Sequence, residues 1–278
     1  MNPFDPSKRN DEIRRLYDLS GGRIQKVNPT YYPKYRDLNL VNVDTTKKIY
    51  RIFSYDRFIQ LLESKMNTLV PTRKWDDPLE NFLLSCDLTY KEDHISLSDI
   101  RNSWYGQCWT EKEECDGMWH TQTKNDSCRT VKVKTTVGTL FEEFYDFSHE
   151  YHVMEFFMGK VEYKKQDEIK RCLEKIGEKE IFSKDNRSHL MSLLVKREEF
   201  SYEHELRLLY CYPKSSPCHP PVYSYAVNPN KLFEEVVLDP WTNDKDFTSE
   251  LNQIRSLGYN KKVTRSELYK SFKGEIII

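Results

Sequence analysis

The first 46 residues are mostly polar and rich in Pro, Asn and Asp, and only residues 11–19 have helical spacing before Gly21 and Gly22 stop it. The apolar pattern begins at KKIYRIF, which predicts a strand ending near Ser54. Ser54 is then placed to cap the helix YDRFIQLLESK, in which Phe58, Leu61 and Leu62 share one face. NTLVP predicts a second strand, RKWDDPLENF a loop, and the polar stretch up to about Trp104 a helical region. YGQCWT predicts a strand, ECDGMWHTQT a helical turn, and the alternating RTVKVKTT a strand with one wet face. Further on come an amphipathic helix in GTLFEEFYDF, a strand or hairpin arm in HVMEFFMGKVEY, and charged helices over 166–178 and 186–197. HELRLLYCY is the most apolar strand of the second half. VYSYAV and FEEVVLD are two more, and the helix DFTSELNQIRSLG leads into the strand KKVTR. Strands outnumber a βαβ rhythm, so the pattern predicts an α+β fold with a bent, mostly antiparallel sheet and flanking helices. It predicts an N-terminal extension over 1–46 with a short helix, and a single α+β domain over 47–278.

Composition changes this picture in one respect. Hydrophobic residues are 38% and charged residues 31% of the 278, yet 13% are aromatic, so the core is expected to be built on large rings. Charge is balanced, with 43 Lys and Arg against 44 Asp and Glu, and the signs are mixed along the chain. That excludes the one-signed field of a duplex or membrane-surface binder. Seven cysteines at irregular spacing, an N-terminus without an apolar signal core and the lack of a membrane-length apolar run lead us to expect reduced thiols in a cytoplasmic protein.

Four clusters could carry chemistry. Tyr50-Arg51 closes the first strong strand. The guanidinium can hold phosphate and the ring can stack on a base, or Arg51 can be a solvated edge residue. After Trp75, the residues Asp76, Asp77, Glu80 and Asn81 offer hard oxygens, but not at the spacing of a calcium loop. A turn whose Asp side chains satisfy backbone amides, with Trp75 in the core, is the better reading, and no metal is expected. Cys108, Trp109 and Thr110, followed by Asp116, Trp119 and His120, can line a pocket. A zinc site from Cys108, Cys115, His120 and Cys128 would lack the usual CxxC pair. Last, Glu203 and Glu205 flank His204 ahead of an apolar strand. There they share one strand face and suit an oxocarbenium-like centre, unless the strand is a solvated edge in which Arg207 pairs with either Glu.

The order of these clusters is more specific than any one of them. Tyr-Arg, the Trp75 to Glu80 loop, Cys-Trp-Thr, Asp-Gly-Met-Trp, Val-Lys-Val-Lys-Thr-Thr and Val161-Glu162-Tyr163 follow in sequence. Lys196, Tyr-Glu-x-Glu-x-Arg and Glu235-Val-Val-Leu-Asp-Pro240 complete the series. It resembles the bacterial family catalogued as domain of unknown function 2971, from about Lys47 to Arg265. Asp76 stands where that family usually has Asn, and the residue three past Trp119 is not its common Tyr.

The order Arg51, Thr110, Glu203-x-Glu205 is also similar to the Arg, Ser/Thr, Glu-x-Glu order of ADP-ribosyltransferases. That resemblance implies NAD as substrate, bound through Arg51, with Thr110 ending a later strand. It also implies Glu205 at the nicotinamide ribose, Glu203 facing the acceptor, and Tyr50 or Trp119 against nicotinamide. Trp75, Asp77, Trp109 and His120 complete the expected cofactor-binding set. The implied protein is an ADP-ribosyltransferase-like toxin or defence effector that takes a nucleotide ligand and modifies a nucleic acid or protein. The alternatives are a nucleotide-binding sensor without turnover, and a metal-dependent nuclease built on Asp76, Asp77, Glu80 and Glu203.

Overall fold

The computed structural model describes residues 11–12, 14–16, 32–75, 77, 79–86, 88–90, 92–122, 129–148, 152–174, 181, 186–212 and 219–271. Gly21, Gly22, Asp76, Pro78 and Cys128 therefore lie outside the described residues, as do residues 17–19 of the first predicted helix and residues 175–178 of the first charged one. Two compact units form. The first is Met1–Asp44, Thr68–Trp109 and Phe144–Tyr225; the second is Thr45–Asn67, Thr110–Glu143 and Ala226–Ile278. The fold is mixed α/β, and its strands pair mostly antiparallel.

In the first unit, β1 (Leu40–Val41), β8 (Phe156–Lys160), β11 (Glu205–Cys211) and β6 (Trp104–Thr110) are consecutive neighbours. The other edge of β6 pairs with β3 (Met66–Pro71), which meets β12 (Tyr223–Ala226). The antiparallel register sets Leu208 against Met158 and Tyr210 against Phe156. Every residue of β11 is buried. The prediction of a possible solvated edge strand is thus overturned, because β11 lies between two neighbours and carries apolar side chains on both faces. Trp104, Phe157, Leu190, Leu193, Leu194 and Leu209 form part of the core beside it. Large rings dominate the rest, as in the stacked pair Tyr210–Tyr223, whose centroids are 3.7 Å apart.

Two short sheets complete this unit. The hairpin β4 (Leu88–Tyr90) and β5 (Asp93–Ile95) occupies much of the stretch expected to be helical, and only Ser98–Asn102 is helix there. The parallel pair β9 (Glu162–Lys164) and β10 (Val195–Arg197) puts Lys196 opposite Tyr163. The predicted second charged helix therefore stops at Leu193, giving way to the β-branched Val195 and a strand. A 3-10 helix over Glu198–Glu203 then leads to His204, held at φ 45°, and β11 starts at the next residue.

The second unit orders β2 (Lys48–Ser54), β7 (Thr130–Thr136), β13 (Glu235–Leu238) and β14 (Lys262–Arg265), with antiparallel pairs except the last. Ser54 stands at the start of the helix Tyr55–Ser64 but makes no side-chain capping bond, while Phe58, Leu61 and Leu62 are buried as their spacing requires. β7 has no wet face. It runs between β2 and β13, so Lys132 is buried and reaches Glu114 at 3.1 Å, while Lys134 reaches Glu235 at 3.8 Å. Among the described residues no helix is long and apolar enough to cross a membrane.

Candidate functional site

Among the described residues an ionisable cluster forms where four pieces of the first unit meet: the turn after Trp75, β6, β10 and the start of β11. Period-two geometry on β11 points Glu205 and Arg207 to the same face. Arg207 is fully buried. Its Nε donates to Glu205 Oε1 at 2.9 Å and its NH2 donates to Oε2 at 3.0 Å. The same guanidinium donates to Glu80 Oε1 at 2.8 Å and to the Leu193 carbonyl at 2.7 Å, and the Trp75 ring lies 4.3 Å over it. Gly106 of β6 makes room for that ring: a Cβ there would stand 2.4 Å from Trp75 Cζ2.

Lys196 adds a second cation. Its ammonium lies 3.0 Å from Glu80, 2.6 Å from Glu203 and 3.5 Å from Glu205. Three carboxylates therefore face two cations, which leaves the cluster with an excess of negative charge. Burial pushes the Glu205 carboxyl up, but Arg207 and Lys196 outweigh it and hold it below the usual carboxylate range. Burial also raises Glu203, and there Lys196 only partly offsets it. Burial opposes the charges of Lys196 and Arg207, yet Glu205 and Glu80 outweigh it and keep both protonated.

Two neutral groups complete the shell. The Glu205 backbone N–H donates to Tyr163 Oη at 2.8 Å, and burial pushes that phenol up to about 12. The Cys108 thiol lies near Glu205, and desolvation followed by the Glu205 charge pushes it well above the ordinary thiol range. Cys108 is nevertheless exposed, the one open position within an otherwise buried run of β6 from Trp104 to Trp109. Crowded by protein yet reached by solvent, it is the exposed residue of β6 on which the Glu205 charge acts. Of the two carboxylates Glu203 is the more open, with 30% of its side chain exposed against 5% for Glu205.

No family model matches the chain, and no curated protein does either. The resemblance to domain of unknown function 2971 thus rests on the quoted residues alone. Among solved structures the chain is similar to DarT of Thermus sp. 2.9 in complex with NAD+, at 7% identity and a TM-score of 0.39, covering 81% of this chain and 98% of that one. The complexes of that protein with carba-NAD+ and with ADP-ribosylated ssDNA score 0.37 at 6% and 8% identity. Each covers 81% of this chain, and the coverage of the solved chains is 98% and 96% respectively. A likeness this low decides nothing about activity, so the site stands on its own residues.

Within the first unit, the structure brings together Trp75, Glu203 and Glu205 from the sequence-predicted set. Asp77 stands next to this group, accepting from Arg197 at 3.0 and 3.2 Å and from the Leu79 amide at 3.1 Å. Asn81 and Thr72 bond each other, so the Trp75 loop is the turn expected for it. Trp109 is buried, with its indole N–H on Gln107, which turns it into core rather than an open stacking face. Glu203 and Glu205 do not share a strand face, because His204 breaks the extended path. Lys196 is what joins them.

Tyr50, Arg51, Thr110, Trp119 and His120 belong to the second unit. Tyr50 pairs in register with Thr110, and Arg51 lies 4.8 Å over the Phe53 ring. Tyr50 is buried, and so is Trp119, whose indole N–H donates to Glu114 at 2.8 Å; neither ring presents a free face for nicotinamide. His120 is exposed beside Trp241 and 3.2 Å from Asp116. Among the described residues no three His, Cys, Asp or Glu side chains are grouped as metal ligands. A cavity of about 350 Å³ in the second unit is walled by Leu62, Lys65, Asn228, Asn230 and Tyr259 among others, and holds none of the cluster's carboxylates.

The sequence reading named Glu80, Lys196, Tyr163 and Cys108 but did not group them around Glu205. The spacing Glu205-x-Arg207 inside an apolar strand was a usable signal, since opposite charges two apart share a face that the flanking residues bury.

Proposed function

We propose that the chain is an ADP-ribosyltransferase-like enzyme that uses NAD as substrate, with Glu205 as the carboxylate that stabilises the reacting ribose. One observation supports this most: Glu205 is buried, ionised and locked in orientation by Arg207, yet adjoins the solvent-open Cys108. In the proposed step the bond from C1′ to the nicotinamide nitrogen breaks and nicotinamide leaves with the electron pair. Positive charge spreads over C1′ and the ring oxygen. A fixed carboxylate in a cluster of three carboxylates against two cations favours that state over the ground state. The acceptor nucleophile then bonds C1′ and gives up its proton. Glu203 is the more exposed carboxylate, and burial has raised its affinity for protons, which suits a base near working pH.

The acceptor is a nucleic acid or a protein, and the setting that of a toxin or defence effector. The nuclease alternative fits less well, because Asp77 is taken by Arg197 while Glu80 and Glu203 are taken by Arg207 or Lys196. A nucleotide-binding module without turnover is favoured by one fact: both Glu205 oxygens already accept from Arg207.

The deciding experiment follows nicotinamide release from NAD by the purified chain and by Glu205→Gln. The substitution should cost about 10²-fold or more, the scale of losing a preorganised electrostatic group in a buried site. An unchanged rate in Glu205→Gln would overturn the assignment. Saturable NAD binding without nicotinamide release would favour the binding module.

A further inference from the structure

Lys196 stands at the centre of β10, opposite Tyr163 on β9, with 10% of its side chain exposed. Its ammonium meets carboxylates from three separate segments: Glu80 in the turn after Trp75, Glu203 at the end of the 3-10 helix, and Glu205 at the start of β11. The Phe200 ring closes over it at 4.6 Å. Arg207 reaches Glu205 and Glu80, while Lys196 reaches those two and Glu203 as well. We propose that Lys196 is a positioning residue, a shared counter-ion that holds Glu203 at a fixed place beside Glu205. The use made of that placement rests on the transferase reading; the placement itself does not.

The physical case is one of like charges. Two carboxylates in one partly buried shell tend to share a proton unless a cation stands with them. His204 turns the chain so that the backbone alone does not set the two side chains parallel. The shortest of the three Lys196 contacts is the one to Glu203, the more exposed acid. The titratable groups acting on the ammonium are Glu80, Glu203, Glu205 and Tyr163, with Arg207 and Cys108 sharing the shell through Glu205. Nearby, Arg197 is paired with Asp77, and Lys164 with Glu162. Among these the Glu80 and Glu205 charges already have Arg207. Removing Lys196 therefore takes a cation at 2.6 Å away from Glu203 beside two carboxylates, and its proton affinity must rise.

The test combines a titration and a rate. Carbon-13 NMR of glutamate-labelled protein, with the Glu203 signal assigned by its absence in Glu203→Gln, follows its carboxyl in the wild type, Lys196→Met and Lys196→Arg. The expected result is an upward move of the Glu203 midpoint in Lys196→Met and recovery towards wild type in Lys196→Arg. The acid limb of nicotinamide release should move in the same direction as the midpoint. An unmoved Glu203 midpoint in folded Lys196→Met would overturn the proposal, since a merely space-filling lysine predicts that result. Should Lys196→Met fail to fold, the wild-type lysine ammonium signal decides: it should shift as Glu203 titrates, and a flat signal would count against the pairing. A wild type that releases no nicotinamide would sink the transferase reading and leave the NMR arm to judge Lys196.

Discussion

Arg207 is the residue on which the cluster depends. Replacing it with Met keeps the volume roughly and removes the charge, which leaves Glu205 and Glu80 buried without their guanidinium. Breaking a buried pair in this way costs roughly 3–5 kcal/mol, and urea unfolding of Arg207→Met should show a loss of that order. Cys108 tests the same shell from its open side. Only a thiolate alkylates quickly, and burial together with the Glu205 charge holds this thiol protonated. Iodoacetamide labelling followed by peptide mass should thus be slow at Cys108 near neutral pH despite its exposure. Glu205→Gln should speed it by removing the neighbouring charge. Equal rates in the two proteins would show that Glu205 does not govern the thiol.

At the scale of elements, Gly106 ties β6 to the cluster. Gly106→Ala would drive a methyl into the Trp75 ring, which must shift and uncover Arg207. Overpacking of this kind costs about 1–3 kcal/mol, and the melting temperature should fall accordingly. A neutral result would mean that the ring moves freely. Elements whose faces matched a simple period were legible beforehand: β2, the helix Tyr55–Ser64, β13 and the helix Asp244–Ser256 fall where the pattern placed them. β7 was legible as a strand but not in its burial. Lys132 and Lys134 read as a wet face until Glu114 and Glu235 supply partners from distant sequence. β10 was hidden in a helical pattern because VKR is too short to show a period, and with it went the placement of Lys196. Glu203 and Glu205 were found because two carboxylates before an apolar strand are visible locally. Their geometry was not, since a single αL residue at His204 cancels the alternation.

At the scale of the molecule, four buried or half-buried carboxylates among the described residues fall into two pairs with opposite consequences for stability. Burial opposes Glu114 and Glu205, but hydrogen bonds and cations outweigh it, so both have lowered pKa values. Their contribution is present above the ordinary Glu range and is lost as pH falls through their folded values. Glu203 and Glu250 are raised by burial despite Lys196 and Arg129, so they favour the fold when protonated and weigh against it once pH rises past their folded values. Ionised Glu203 thus weighs against the fold, a cost that the proposed use of its carboxylate as a base would account for. Glu203→Gln should therefore melt at the same temperature as the wild type or lower in acid, where both side chains are neutral. At pH 7–8 it should melt higher, with the gap opening as Glu203 ionises in the parent. Thermal melts of the two proteins from pH 4 to 8 measure this directly. A gap of the opposite sign at neutral pH would mean that the 2.6 Å pair with Lys196 more than offsets the burial of Glu203, and that this carboxylate is structural.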